Sequence, residues 1–222
     1  MEKKKIAIIG GTGKEGKGLA FRWARAGHEI CVGSRNKEKA QNAIKDISDL
    51  LNGKDHIPLR GEVNNIAAQW GDIIVFTIPY TYHEEMLNNL KPYLSGKIVV
   101  DVTVPLVPPK VSVIKVPKEG SVALKTQQIL GESVKVISAF QNISFELLLQ
   151  DEPIECDVLL CGSDKETRQI GMQLVRDAGL EVWDAGPLEN AIIAEGLTSI
   201  LIRINKKYKT HSAGIKITGI EK

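Results

Sequence analysis

At 222 residues, with 43% apolar and 25% charged side chains and a formal net charge of +2, the chain has the make-up of a globular protein able to bury a substantial core. The mixed charge gives no general case for nucleic acid, and no apolar stretch approaches the length that spans a bilayer, so neither nucleic acid nor membrane is expected as a partner. Three cysteines without a CxxC pair and four scattered histidines offer no disulfide framework and no metal-ligand spacing, so no metal site is expected.

The chain begins with a basic run, Lys3 to Lys5, of the kind that opens a signal peptide, but only Ile6 to Ile9 separate it from a cluster of glycines. An apolar segment that short predicts a strand and not a leader, and a cytoplasmic protein is expected. The strand, Lys5–Ile9, runs directly into Gly10-Gly11-Thr12-Gly13-Lys14-Glu15-Gly16. Gly11, Gly13 and Gly16 fit the G-x-G-x-x-G fingerprint: the first for the tight turn into a helix, the second to admit a pyrophosphate, the third for close packing of helix on strand. Thr12 stands between the glycines, where a hydroxyl donates to a phosphate, and Lys14 and Glu15 open a helix whose free amides hold an anion. That helix is predicted over Glu15–Ala26, with Leu19, Ala20, Trp23 and Ala24 at helical spacing and Gly27 beyond its end.

A second strand, Glu29–Gly33, carries the choice of cofactor. About 20 residues beyond the fingerprint, NAD-dependent folds place an Asp or Glu on the ribose; here Ser34-Arg35 stands instead. A carboxylate repels a 2′-phosphate, whereas a guanidinium forks onto it and a hydroxyl donates to it, so the cofactor is predicted to be NADP(H). Lys39, one turn into a helix over Lys37–Leu51 that stops before Gly53, is a third candidate for that phosphate.

Further strands are predicted at Ile57–Arg60, Asp72–Ile78, Lys97–Val102 and Lys135–Ala139, alternating with helical segments in the pattern of a doubly wound parallel sheet. Thr77-Ile78-Pro79 closes the fourth of the chain's strands at the carboxyl edge, where open α/β sheets bind ligands. His83, in the next helix, reads as a satisfied or surface residue in preference to a proton donor. Pro105, Pro108, Pro109 and Pro117 make one stiff connection on the cofactor side, leading to a helix that Ser121 caps. From Phe140 the character shifts to a short apolar helix, a strand at Asp157–Leu160, a helix at Asp164–Ala178, a strand at Glu181–Trp183 and a long helix at Leu188–Lys207. The expected organisation is a Rossmann-type α/β domain over 1–139 and a smaller C-terminal α/β region over 140–222. Cys31, Cys156 and Cys161 are read as reduced core thiols.

The stretches Ile8-Ile9-Gly10-Gly11-Thr12-Gly13, Gly27-His28-Glu29-Ile30, Val32-Gly33-Ser34-Arg35, Thr77-Ile78-Pro79, Val104-Pro105-Leu106-Val107-Pro108, Ser138-Ala139-Phe140-Gln141-Asn142 and Asp184-Ala185-Gly186-Pro187-Leu188 follow one another in a particular order and spacing. In them the chain resembles the NADP-dependent reductases of coenzyme F420, the 8-hydroxy-5-deazaflavin carrier. The resemblance covers nearly the whole chain and implies hydride exchange between NADP(H) and F420 in a homodimer. It implies that Thr77, Ile78 and Pro79 line the nicotinamide half, with Val104 in the same site. Gln141, Asn142 and Ile143 would flank the acceptor ring, the two amides bonding its carbonyl edge and Ile143 packing on its face. In archaeal members a His stands where this chain has Gln141, a departure that bears on the acceptor more than on the fold. The stripe Ile192, Ile193, Leu197, Ile200, Leu201 and Ile204 fits either a dimer seam or an internal core, and the resemblance favours the seam; the cations Arg203, Lys206, Lys207 and Lys209 meet the carbonyl end of the last helix.

No catalytic acid or base is expected from the protein. Catalysis would consist of holding nicotinamide C4 and the receiving carbon in contact and excluding water, with the cofactors carrying the chemistry. Two other readings stay open at this point: an NADPH-dependent reductase of a flavin, pterin, imine or carbonyl, and a module that senses NADP(H) without turnover.

Overall fold

The computed structural model describes residues 3–51, 57–109, 112–150 and 152–220. Its strands are β1 (Lys5–Ile9), β2 (Glu29–Ser34), β3 (Leu59–Val63), β4 (Ile73–Phe76), β5 (Ile98–Asp101), β6 (Lys135–Ser138), β7 (Asp157–Gly162) and β8 (Glu181–Gly186). The helices are α1 (Lys14–Arg25), α2 (Lys37–Leu50), α3 (Asn64–Trp70), α4 (Tyr80–Leu90), α5 (Val122–Leu130), α6 (Phe145–Leu148), α7 (Lys165–Asp177) and α8 (Ala191–Tyr208). All eight strands join one sheet in the order β3-β2-β1-β4-β5-β6-β7-β8. The first six are parallel; β7 pairs antiparallel with β6 through Ile137↔Gly162 and Ser138↔Cys161, and β8 runs parallel to β7. Strand order reverses between β1 and β4, which opens a crevice at the carboxyl ends of both.

Alternation along β1 divides the core. Ile6 and Ile8 pack with α1, α2 and α7, while Ala7 and Ile9 pack with α3 and α4 on the other face. A strand covered on both faces is apolar throughout, and every residue of β1 after Lys5 is buried. Side-chain caps set the helix starts: Asn36 Oδ1 accepts from Lys39 N at 3.1 Å, Ser121 Oγ from Leu124 N at 3.0 Å, and Asp164 Oδ1 from Thr167 N at 2.8 Å. The cap expected of Ser121 is thus present.

Some expectations shift. The third strand lies at Leu59–Val63 and not Ile57–Arg60, because its place is set by pairing Ile30↔Leu59 through Ser34↔Val63 and not by its own polar Arg60-Gly61-Glu62. The last helix begins only at Ala191, after a single 3-10 turn at Leu188–Asn190. The α8 stripe is split: Ile193, Ile200 and Ile204 are exposed, whereas Leu201 faces the core. Gly53 and His56 lie outside the described residues. Cys31, Cys156 and Cys161 are free and buried.

After α8 the chain turns at Lys209, whose φ is +55°, and its tail folds back over the sheet. Ile215 O accepts from Asp157 N at 2.9 Å, and Ile217 N donates to Asp157 Oδ2 at 2.7 Å. Among the described residues no helix is long and apolar enough to cross a membrane.

Candidate functional site

The turn after β1 is shaped by contacts that leave no room for side chains. Gly10 takes φ +74°, and a Cβ there would lie 2.5 Å from Ile78 Cδ1. A Cβ on Gly16 would stand 2.5 Å from Gly11 Cα, a backbone contact that cannot be relieved by a rotamer change. The left-handed residue of the turn is therefore Gly10, one position before the fingerprint; Gly11 serves by close approach, its N donating to Ile8 O at 3.2 Å and Gly33 O at 3.1 Å. At Gly13 the nearest atom to an added Cβ is 3.6 Å away, so this side is open to a ligand. Gly13 caps α1 without a side chain, leaving the first-turn amides of Lys14, Glu15 and Gly16 without intrahelical acceptors. Thr12 is half-buried on the same turn, and Lys14 Nζ sits 4.7 Å over the Phe145 ring.

The register Ile9↔Gly33 brings Ser34 and Arg35 to the same edge as the glycines. Ser34 is buried and its Oγ accepts from Asn36 N at 3.3 Å, while Arg35 and Lys39 are exposed. The Arg35 guanidinium lies 6.0 Å over the Tyr82 ring, and Tyr82 itself lines the cavity that completes the site.

That cavity, about 660 Å³, lies along the carboxyl ends of β4, β5 and β6. It gathers Glu15 from α1 with Thr77, Ile78 and Pro79 after β4, Val104 after β5, and Gln141, Asn142 and Ile143 after β6. The expected residues therefore fall into two adjoining groups, these eight in the cavity and Gly11, Thr12, Gly13, Lys14, Gly16, Ser34, Arg35 and Lys39 along the edge beside it. A second concavity of about 730 Å³ opens by Gln127, Lys135, Ser163 and Leu188, at the amino end of β6 and thus the opposite edge of the sheet. It is remote from the glycine turn and shares no lining residue with the first cavity.

Thr77 is fixed to β1 twice, its N and Oγ1 both donating to Ile9 O, at 3.0 and 2.9 Å. Glu15 is half-buried, but its Oε1 is shielded and has no hydrogen-bond partner among the described residues. Burial pushes its carboxyl up to about 8 from the ordinary 4.5, so it is neutral over most of the physiological range.

The far wall rests on a buried polar network. His83 Nε2 meets Asp101 Oδ2 at 2.8 Å, Thr126 Oγ1 donates to the same oxygen at 2.6 Å, and Thr103 N donates to Asp101 Oδ1 at 3.0 Å. Burial alone would raise the Asp101 carboxyl; the charge and hydrogen bond of His83, together with the hydrogen bonds from Thr126 Oγ1 and Thr103 N, hold it below the usual range. His83 is thus a buried core residue held through Nε2, while its Nδ1 has no hydrogen-bond partner among the described residues. Above Asp101, Gln141 Nε2 donates to Asp101 O and to Ser138 Oγ, both at 2.8 Å, and Gln141 O accepts from Thr198 Oγ1 at 2.6 Å. Phe140, immediately before, is buried with φ +74°, a costly conformation for an aromatic residue, and is braced edge-on against Trp23 at 5.6 Å. Asn142 Nδ2 donates to Asp157 O at 2.7 Å and contacts Cys156 Sγ at 3.5 Å. This corrects the expectation that the two amides bond a carbonyl edge, because their N–H groups are already spent inside the fold.

Sequence reasoning missed the third wall, where Thr198, Leu201, Ile202 and Asn205 of α8 join His211 and Ala213 of the returning tail. Ala213 N donates to Asn205 Oδ1 at 2.9 Å and Ser144 Oγ to His211 O at 3.2 Å, and no local pattern announces such a turn back.

Residues 5–105 match the family described as coenzyme F420-dependent NADP oxidoreductase. Over 98% of this chain and 99% of the relative, the sequence is 41% identical to the F420-dependent NADP reductase of Methanocaldococcus jannaschii. The enzyme of the same name from Methanothermobacter thermautotrophicus is 36% identical over 97% of this chain and 95% of its own length. A solved structure from Arthrobacter sp. FB24, provisionally described as an F420-dependent NADP reductase, superposes with a TM-score of 0.79 at 24% identity, covering 97% of this chain and all of that one, which shows the shared fold.

Proposed function

The chain belongs to the family of coenzyme F420-dependent NADP oxidoreductases, and from that premise we propose that its carboxyl-edge cavity brings NADP(H) and the deazaflavin of F420 together for direct hydride transfer. The observation that carries this reading is the continuity of one cavity from Glu15, on the helix of the glycine turn, to Gln141 and Asn142 on the opposite wall. The residues present suit both coenzymes. Open first-turn amides and the Cβ-free approach at Gly13 would hold the pyrophosphate, with Thr12 and Lys14 beside it. Ser34, Arg35 and Lys39, in the place where an acid would stand, would hold the 2′-phosphate. Thr77, Ile78, Pro79 and Val104 would line the nicotinamide, and Gln141, Asn142 and Ile143 the acceptor ring.

When bound, the two rings supply the hydride donor and acceptor. The chain's own work is positioning and water exclusion: Ile78, Phe140 and Ile143 present buried apolar surface, and the Asp101 network holds the Gln141 wall rigid. Neutral Glu15 spares the pyrophosphate a neighbouring carboxylate. The division into a dinucleotide-binding part, 1–139, and an acceptor-side part, 140–222, follows this assignment. A homodimer formed through the exposed face of α8, at Ile193, Ile200 and Ile204, accounts for a solvent-facing apolar stripe. Three free buried thiols accord with a cytoplasmic setting. Other acceptors and a sensor without turnover are not favoured, since the relatives are matched over almost their whole length.

The test mixes the purified protein with NADPH and oxidised F420 and follows the acceptor's visible absorbance, with NADH and riboflavin phosphate in parallel. Rapid bleaching of F420 with NADPH alone is expected. Bleaching of riboflavin phosphate in preference to F420 would contradict the reading.

A further inference from the structure

The cations that end α8 do not share one surface. Arg203 and Lys207 line a groove with Ile200, Ile204 and Tyr208. Lys206 and Lys209 instead line a concavity of about 490 Å³, together with Thr210 and His211. That concavity continues from the carboxyl-edge cavity, because Ile202, Asn205 and His211 line both. The turn that carries its cations is fixed in place. Asn205 O accepts from Lys209 N and, at 3.1 Å, from Thr210 N, with Lys209 in the left-handed region at φ +55°. Asn205 Oδ1 holds Ala213 N at 2.9 Å, and Ser144 Oγ holds His211 O at 3.2 Å. No carboxylate lines the concavity, and neither Lys206 nor Lys209 has an ion-pair partner among the described residues. Elsewhere on the surface lysines are paired, Lys17 with Asp46, Lys37 with Glu62 and Lys135 with Asp164. The carbonyl end of α8 attracts cations to its last turn, Lys206 and Lys207 alike. That attraction does not sort Lys207 into the groove and Lys206, with Lys209, to the mouth of a cavity.

We infer that this basic concavity is an anion subsite, which takes the charged groups on the side chain of a ligand whose ring lies in the adjoining cavity. The inference rests on the reading of that cavity as the place where F420 binds. It names the part of the coenzyme that α8 and the returning tail hold: the ribityl chain of F420 leads to a phosphate and to glutamate carboxylates, whereas the deazaflavin core without them is free of such anions. None of the residues assigned to NADP lines the concavity. Ammonium groups on flexible stems suit a chain that offers several anions in no fixed geometry better than one rigid phosphate. Both lysines are exposed, so each contact is weak alone and screened by salt. Together, two cations against several anions favour F420 over its uncharged core by about tenfold at low salt.

The experiment measures dissociation constants on the full chain, at low and at high salt, for three probes: F420, its phosphorylated form without glutamates, and 8-hydroxy-5-deazariboflavin, which has the same ring and ribityl chain but no anion beyond them. The wild type is expected to bind F420 about tenfold more tightly than the core at low salt, with the gap closing at high salt. In Lys206→Gln/Lys209→Gln the affinity for F420 should fall to within about twofold of that for the core. Arg203→Gln/Lys207→Gln removes the same charge from the same helix end and should keep the preference. The form without glutamates separates the two anions: equality with F420 assigns the subsite to the phosphate, and equality with the core assigns it to the carboxylates. Wild-type affinities for F420 and core within about twofold at low salt would overturn the inference without recourse to any variant. A preference undiminished in Lys206→Gln/Lys209→Gln, or lost equally in Arg203→Gln/Lys207→Gln, would overturn it too. Binding of neither deazaflavin would overturn it together with the reading of the cavity, whereas the preference found without F420 reduction by NADPH would uphold the subsite and count against hydride transfer alone.

Discussion

The glycine edge beside the cavity is held by backbone, through Gly11 N on Gly33 O, Thr77 N on Ile9 O and a helix start too close to the turn for any Cβ. The opposite wall is held by side chains: His83, Thr126 and Asp101 below, Gln141 and Ser138 above, Thr198 from α8. The first design would suit the pyrophosphate proposed to bind there, which asks only for amides and space. The second can be retuned by single substitutions, which would suit the half proposed to meet the acceptor, but each member depends on the next.

If that contrast is right, the network should be the costlier to break. Asp101→Asn removes the charge opposite buried His83 and should lower stability by about 3–5 kcal/mol in denaturant titrations. Its affinity for F420 should fall further than its affinity for 2′,5′-ADP; equal losses would mean that the two walls are not separable. Gly16→Ala forces a methyl against Gly11 Cα and should cost about 1–3 kcal/mol. Here the order reverses, with NADPH binding lost and F420 binding largely kept, measured by calorimetry. Arg35→Ala should weaken NADPH by about ten- to hundredfold with little change for NADH, because charge-assisted bonds to a phosphate disappear. Equal loss for both dinucleotides would remove Arg35 from that role.

The smallest effect concerns pH. Glu15 sits at about 8 in the fold against an ordinary 4.5, so its contribution to stability is complete below about 4.5 and is lost as pH rises through about 8. Above that point its carboxylate would also repel the pyrophosphate proposed at the neighbouring helix start. NADPH affinity should therefore decline on the alkaline side in the wild type and stay flat in Glu15→Gln, as read from titrations between pH 6 and 9. Glu195 on α8, also raised to about 8 by burial despite bonds from Val122 N and Ala123 N, adds a parallel loss in thermal stability but none in affinity.

The same contrast explains what could be read from the sequence. A backbone wall leaves local marks: glycines at fixed spacing, an arginine where an acid would stand, a serine at a helix start. Those marks point to the glycine turn, the edge that carries Ser34 and Arg35, and the parallel sheet, with the small displacement of the left-handed turn residue to Gly10. A side-chain wall leaves none, since Gln141 meets Asp101 across 40 residues and Asn142 meets Asp157 only once β7 is in place. Hence the sequence does not show that the amide nitrogens of Gln141 and Asn142 are bonded within the fold, to Asp101 O, Ser138 Oγ and Asp157 O. Asn205 of α8 and the tail residues His211 and Ala213 escape a sequence reading for the same reason, and β3 is displaced because an edge strand with Arg60 and Glu62 takes its register from β2.

The most direct measurement uses NADPH carrying deuterium at nicotinamide C4, in each of its two configurations, with oxidised F420 in ordinary water. One of the two labels should appear in the reduced deazaflavin without loss to solvent, since the cavity is proposed to hold the rings in contact. Label found in water with both configurations would contradict direct transfer and, with it, the account of two walls facing each other across a single cavity.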